Sequence, residues 1–255
     1  MDIKVIVAAH KKYDMPKDSM YRPIHVGAEG KESIGFTGDN TGDNISTQNQ
    51  FYCELTGLYW GWKNLNCDYI GLAHYRRHFS VKKKGNRPID SVLTSEEAEQ
   101  ILKKYDLILP KKRNYYIDTL ESHFNHVKFT KGTDLPMLRA SIEKVAPEYV
   151  PFFDKNIKKT SGHMFNMFIM KKDLADQYCE WLFAVLGDLE KTIDLSTDFH
   201  PARRRMLGYL AEFMVDIWVE KNGIQYKEVN TIFLEKQSEI KKIYKFIIRK
   251  FRYEQ

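Results

Sequence analysis

The run Tyr69-Ile70-Gly71-Leu72-Ala73 passes straight into His74-Tyr75-Arg76-Arg77-His78-Phe79. The first stretch is too apolar for a strand with one wet face and reads as a strand buried on both sides. Such strands belong to parallel sheets covered by helices. The second stretch holds two histidines, two arginines and two aromatics. It would stand at the carboxyl end of that strand, where open α/β sheets bind their ligands.

The preceding sequence supports this frame. Lys4 to Ala9, rich in Val and Ile, reads as a first parallel strand and ends at His10-Lys11-Lys12. Thr47 with Gln50 makes a capping-box pattern, and Phe51, Leu55, Leu58, Tyr59 and Trp62 follow at helical spacing up to Asn64. Strand, helix and strand in that order imply a parallel βαβ unit. Residues 13–45, punctuated by Pro16, Pro23 and several glycines, read as a long irregular loop, a feature usually tied to function. It ends in a doubled triplet, Gly38-Asp39-Asn40 and Gly42-Asp43-Asn44. The triplets suit either Asx turns before the helix or a loop that holds a sugar or nucleoside. Glu54 lies at the flank of the helical stripe, the usual place of a boundary carboxylate.

A third short strand, Asp106 to Leu109, ends in Lys111-Lys112-Arg113. Three strand ends on one topological edge thus carry basic groups, a positive lip suited to a phosphate-bearing ligand. Thr94 and Glu97 form a second capping box, and residues 117–158 read as helical. His123 and His126 lie three apart there without a third metal ligand nearby. His163 to Met170 reads as a buried strand, Leu174 to Lys191 as an amphipathic helix and 192–204 as a polar loop. Met206 to Asn222 reads as a helix ended by Gly223, with Glu212 on its polar face, and Ile224 to Leu234 as a late strand.

Charge excludes one class of function. The net charge is +6, but residues 238–255 contain six Lys or Arg and two acids. The body, 1–237, is therefore nearly neutral, which argues against a nucleic-acid surface. The tail reads as a basic amphipathic helix, suited to docking on its own domain or to an anionic membrane surface. Three scattered cysteines suggest neither a disulfide framework nor zinc. No apolar run reaches membrane-spanning length, so a cytoplasmic protein is expected, at most peripheral to the inner face of the plasma membrane.

Several stretches together resemble the bacterial capsular and exopolysaccharide biosynthesis glycosyltransferases long catalogued as a domain of unknown function. They are Val7 to Lys11, Pro23 to Ala28, Gly38 to Ser46, Cys53 to Trp60, Asp68 to Arg77, Leu109 to Arg113, His163 to Phe168 and Gly208 to Glu212. The resemblance implies a single α/β domain over 1–237 with a Rossmann-like, nucleotide-diphospho-sugar transferase (GT-A-like) fold. It implies a mixed, mainly parallel sheet, with the tail helix set apart at 238–255. It further implies transfer of a sugar, galactofuranose in some relatives, from a nucleotide-sugar, a UDP-sugar first. The acceptor would be a growing, lipid-linked glycan. The wider fold often carries Asp-x-Asp as a metal ligand at the strand end where this chain has Ala73-His74-Tyr75-Arg76-Arg77. Need for a divalent metal is therefore open. A non-catalytic nucleotide- or partner-binding module is the alternative.

Within that reading a leaving diphosphate needs fixed cations or a metal. Arginine's fork suits phosphate, which points to Arg76 and Arg77 with Lys11 and Lys111 or Arg113. Ala8, His10, Asp39, Asp43, Asn44, Tyr75 and Asn166 complete the donor- and acceptor-binding candidates. The acceptor hydroxyl needs a base, for which His74, Glu212, His163 and Asp43 are candidates.

Overall fold

The computed structural model describes residues 1–82 and 88–235. The expected tail helix and the domain boundary at 237 lie outside the described residues.

In chain order, β1 (Ile3–Ala9), β2 (Tyr21–His25) and β3 (Thr37–Gly38) precede helices α1 (Asn49–Tyr52) and α2 (Leu55–Asn64). Strands β4 (Tyr69–His74) and β5 (Arg77–Ser80) follow, then α3 (Ser95–Leu102), β6 (Leu107–Pro110) and β7 (Arg113–Asn114). Next come α4 (Leu120–Asn125), α5 (Asp134–Val145), α6 (Val150–Asn156), β8 (Ser161–Gly162) and β9 (Phe168–Lys171). The last described elements are α7 (Lys172–Leu189), α8 (Met206–Ala211), α9 (Met214–Asn222) and β10 (Tyr226–Phe233).

The sheet divides two cores. Along β1, Ile6 and Ala8 enter one core, while Ile3, Val5, Val7 and Ala9 enter the other. β4 repeats this, with Ile70 and Leu72 on the first side and Tyr69 and Ala73 on the second. This alternation into two dry layers is why neither strand shows a polar face in the sequence. Helices supply most of the first core, α7 and α9 the largest shares.

β3, β2, β1 and β4 run parallel. β9 is inserted antiparallel between β4 and β6. β10 pairs parallel with β6 and antiparallel with β5, and β5 returns to β4 at the pair His74–Arg77. Five strands therefore pair in a ring, from which β1, β2 and β3 extend as a flank. β1, β4 and β6 end on the same edge, as the βαβ reading requires. The α/β class with a mixed sheet agrees with the sequence expectation.

Four boundaries differ. β2 and β3 lie inside the stretch expected to be irregular, because Pro23 and the surrounding glycines mask a strand whose outer neighbour is only two residues long. The expected helix from Thr47 to Asn64 is interrupted at Cys53, with φ 53° and ψ −127°, and Thr47 does not cap it. The helix from Met206 breaks between Ala211 and Met214, and the strand expected from His163 starts only at Phe168. Elsewhere local signals hold. Thr94 and Glu97 form both halves of their capping box, and Gly223 ends α9 at φ 63°.

The loop 192–205 is fastened by charge. Arg203, 1% exposed, donates to both oxygens of fully buried Asp134 at 2.5 and 2.6 Å and to the Asp194 carbonyl at 2.6 Å. Among the described residues no helix is long and apolar enough to cross a membrane.

Candidate active site

A cavity of about 490 Å³ opens beyond the carboxyl ends of β1 and β4. The end of β1 contributes Ala8 and His10, and the β4–β5 turn contributes His74, Tyr75, Arg76 and Arg77. The kink at Cys53 turns Cys53 and Glu54 into the same space, where an unbroken helix would have carried them along its flank. Arg205 and Glu212, at the two ends of α8, close the opposite wall. A recess of about 140 Å³ continues past them to Gly208, Tyr209 and Phe129. A second cavity of about 610 Å³, lined by Asp14 to Asp18 and Ile89 to Thr94, is larger. Its Asp18 is already occupied by the Ser95 backbone and hydroxyl at 2.9 and 3.0 Å and by the Met20 amide at 3.0 Å. Converging charges, not volume, single out the first cavity.

Its groups are unevenly matched. The Arg77 guanidinium lies 4.4 Å over the Phe165 ring and makes no ion pair with a described residue. Burial lowers its pKa, opposed by the charges of Glu212 and Glu54. Arg76 pairs with Glu235 at 3.2 Å on the rim and lies 5.0 Å over the Tyr75 ring, which Lys11 covers at 5.6 Å. Arg205 donates to Cys53 Sγ at 3.5 Å. The Cys53 thiol is pushed up to about 11 by burial, so it is not a ready nucleophile.

The acid–base groups face these cations. Glu212 is pushed up to about 8, first by burial and then by the negative charge of Glu54, with Arg77 opposing. A negative charge beside Glu212 opposes the loss of its proton. His74 Nε2 lies 2.6 Å from the Phe165 carbonyl and 3.9 Å from Glu54 Oε1. A carbonyl can only accept, so Nε2 carries the proton and Nδ1 keeps its lone pair. Burial lowers the His74 pKa, which favours the neutral ring. Asn166 Nδ2 donates to Glu54 Oε1 at 2.8 Å and to the Gly208 carbonyl at 3.0 Å. Phe165 and Asn166 adopt φ of 83° and 55°, a conformation costing roughly 1–3 kcal/mol per non-glycine residue.

The model for a family described as a domain of unknown function, DUF4422, matches residues 4–223. The chain belongs to that family. None of the curated proteins matches the DUF4422 chain. Its fold is similar to a solved apo structure of WbbM, described as a bifunctional glycosyltransferase, at 29% identity and a TM-score of 0.84. The match covers 93% of this chain and 46% of WbbM, so the DUF4422 chain spans less than half the length of that protein.

The DUF4422 structure gathers Ala8, His10, His74, Tyr75, Arg76, Arg77 and Glu212 around one cavity. Lys11 is exposed beside it, and Arg113 is close enough to act on both Arg77 and Glu212. Other expected residues serve elsewhere. Asp39 is fully buried and accepts from the Gly27 amide at 2.8 Å, the Ala28 amide at 3.0 Å, Thr56 Oγ1 at 2.6 Å and Ser46 Oγ. Its oxygens are filled by donors of its own loop and of α2, so in this structure it braces the loop. Asp43 meets Tyr59 and Asn64 at the far end of α2, and Asn44 closes its own turn on Gly42 and Ser46. Neither lines the cavity, and of the doubled triplet only Asn44 makes an Asx turn, on the Ser46 amide. His163, 1% exposed, places one ring nitrogen against Asp216 and the other 2.9 Å from Glu228, leaving no nitrogen for an acceptor. Asn166 is buried under Glu54 and does not face an acceptor. Lys111 is exposed away from the cavity and uses its amide on Val229.

His78 also turns away from the lip. Its ring is buried and its pKa is pushed down to about 3 by burial and by His74. The groups that sequence reasoning passed over are Glu54 and Arg205. The signal for Glu54 lay in Cys53-Glu54 at the helical flank, but the periodic stripe continued across the kink and hid it.

Proposed function

We propose that this domain is a glycosyltransferase that passes a sugar from a nucleoside-diphosphate donor to an acceptor hydroxyl. The observation carrying this reading is the pairing, in one cavity, of the unclaimed Arg77 guanidinium with Glu54, Glu212 and neutral His74. The likeness to WbbM supports it. A UDP-sugar, with galactofuranose as one candidate, and a lipid-linked surface polysaccharide are the proposed donor and acceptor. The protein would then work at the inner face of the plasma membrane, with residues 238–255 as its contact.

In this mechanism the acceptor oxygen attacks the anomeric carbon as the bond from that carbon to the β-phosphate oxygen breaks. The electron pair leaves with the nucleoside diphosphate, towards Arg77, Arg76, Arg205 and the rim at His10 and Lys11. Preset cations in a partly dry site stabilise that charge without reorganising. The acceptor proton passes to Glu212, whose pKa near 8 suits a base working close to neutrality. In this reading His74 Nδ1, whose lone pair is free of the Phe165 carbonyl, accepts a hydrogen bond from a sugar hydroxyl. A divalent metal fits this donor set poorly, because Arg77 and Arg205 interleave with the two carboxylates. Among the described residues no three His, Cys, Asp or Glu side chains gather to hold one.

Thermal-shift measurements with UDP and UDP-sugars, in EDTA and in Mn²⁺, test the reading. Stabilisation by UDP that is lost in Arg77→Ala is expected. Indifference of the wild type to every nucleoside diphosphate would overturn it.

A further inference from the structure

The turn at Phe165–Asn166 touches His74, Arg77, Glu54 and Glu212. The Phe165 carbonyl accepts from His74, its ring underlies Arg77, and its backbone interacts with the Glu212 carboxylate. The Asn166 amide reaches Glu54 and, through the Gly208 carbonyl, the helix α8 that leads to Glu212. Both residues are left-handed, a position where a bulky Phe is a genuine outlier. Conformations of that kind persist where the surroundings over-determine them, which happens most often at functional sites. Asn166 is 5% exposed, and its Oδ1 has no hydrogen-bond partner. The side chain is therefore committed through its amide nitrogen alone.

Glu212 is faced by Glu54, Arg77, Arg113, Arg205, Cys53 and Tyr115. Glu54 is faced by His74, Arg77, Arg205 and Cys53. Arg77 and Arg205 act on both glutamates, so they do not distinguish them. The Asn166 amide touches Glu54 only. A hydrogen bond from an N–H favours a carboxylate over its acid.

We propose that Asn166 is a positioning residue: it holds Glu54 as a hydrogen-bond acceptor and so leaves Glu212 as the glutamate that takes the acceptor's proton. This rests on the transferase reading for its consequence in catalysis, but not for its electrostatics. The two glutamates share one site, and removing the amide frees the Glu54 carboxylate to turn away from the place from which its charge acts on Glu212. Glu212, freed from a neighbouring negative charge, then titrates at lower pH.

Asn166→Gly tests this, because glycine keeps the left-handed turn while removing the amide. The first readout is the carboxylate carbon-13 NMR titration of Glu212 in the full chain without substrate. Its inflection is expected to move down by about one pH unit, since it loses part of a like-charge interaction. The second readout is transfer: donor KM within about threefold, with kcat lower by about tenfold to a hundredfold through misplacement of the base pair. Asn166→Asp, which tolerates the same backbone, must show a comparable kcat loss, and it carries the test if the glycine variant does not fold. An unmoved Glu212 titration, or kcat within about twofold of wild type in a folded variant, overturns the inference. If wild-type protein transfers from no sugar nucleotide, the transferase reading fails, while the titration still judges the role of Asn166.

Discussion

Replacing Asp39 by Ala removes the acceptor for four donors at once. One of the two hydroxyls has another acceptor, since Thr56 Oγ1 also lies 3.2 Å from the Cys53 carbonyl. The Gly27 and Ala28 amides have no such freedom, because they belong to a rigid turn with Gly27 at φ 64°. Leaving a buried donor unmet costs about 1–3 kcal/mol, so two stranded amides together should cost roughly 2–6 kcal/mol. For a domain of this size that lowers Tm by about 4–24 °C. Trp60, whose Nε1 donates to Thr41 Oγ1 at 3.0 Å just beyond the brace, reports on the loop by fluorescence. Urea unfolding of Asp39→Ala, followed through the tryptophans, should show a lower midpoint. Asp39→Asn should fall between it and wild type, since it keeps one acceptor oxygen. A midpoint change worth less than about 1 kcal/mol would refute the brace and return Asp39 to the ligand contacts.

Four further outcomes are expected. Under the proposed mechanism, in which Glu212 is the base and acts only after losing its proton, wild-type kcat/KM should rise with pH through about 8; Glu212→Gln should abolish that rise and cost roughly 10²–10⁴ in rate. Arg77→Ala should lose about 10²–10³ in kcat and move the remaining pH rise upward, since the Arg77 charge lowers the Glu212 pKa. Arg203→Ala should destabilise by about 3–5 kcal/mol in urea melts, because it leaves Asp134 charged and buried. Gly71→Ala should cost about 1–3 kcal/mol, as its Cβ would lie 2.7 Å from the Phe168 carbonyl, and β9 would have to move.

The parts of the fold that could be read from sequence are those where one local rule acts alone. The apolar runs of β1 and β4 and the capping box at Thr94 needed no distant partner. The carboxyl edge was legible for the same reason: parallel strands fix where their ends lie. The misses occur where tertiary contacts override a local pattern. Cys53 interrupts a helical stripe where Gly208 packs on it, so closely that a Cβ added at Gly208 would lie only 3.1 Å from Cys53 Cβ. No periodicity announces that. His163 looked like a base because its sequence neighbours are apolar, but Asp216 and Glu228 come from 53 and 65 residues away. Asp39 looked like a ligand contact because acceptors on glycine loops often are, whereas its four donors are local to the loop and α2. Glu54 became a site residue only through the break at Cys53 beside it.

The ring of strands has a consequence for how this molecule behaves in a crowd. β4, β5, β6, β9 and β10 each have at least two neighbours, as do β1 and β2. Among the described strands of the main sheet only β3 has a single partner, and it is two residues long. Exposed sheet edges are templates on which other chains add strands, and a two-residue edge is too short to recruit one. The sheet is thus poorly suited to edge-to-edge aggregation, and a partner of this domain would dock through side chains rather than by extending the sheet.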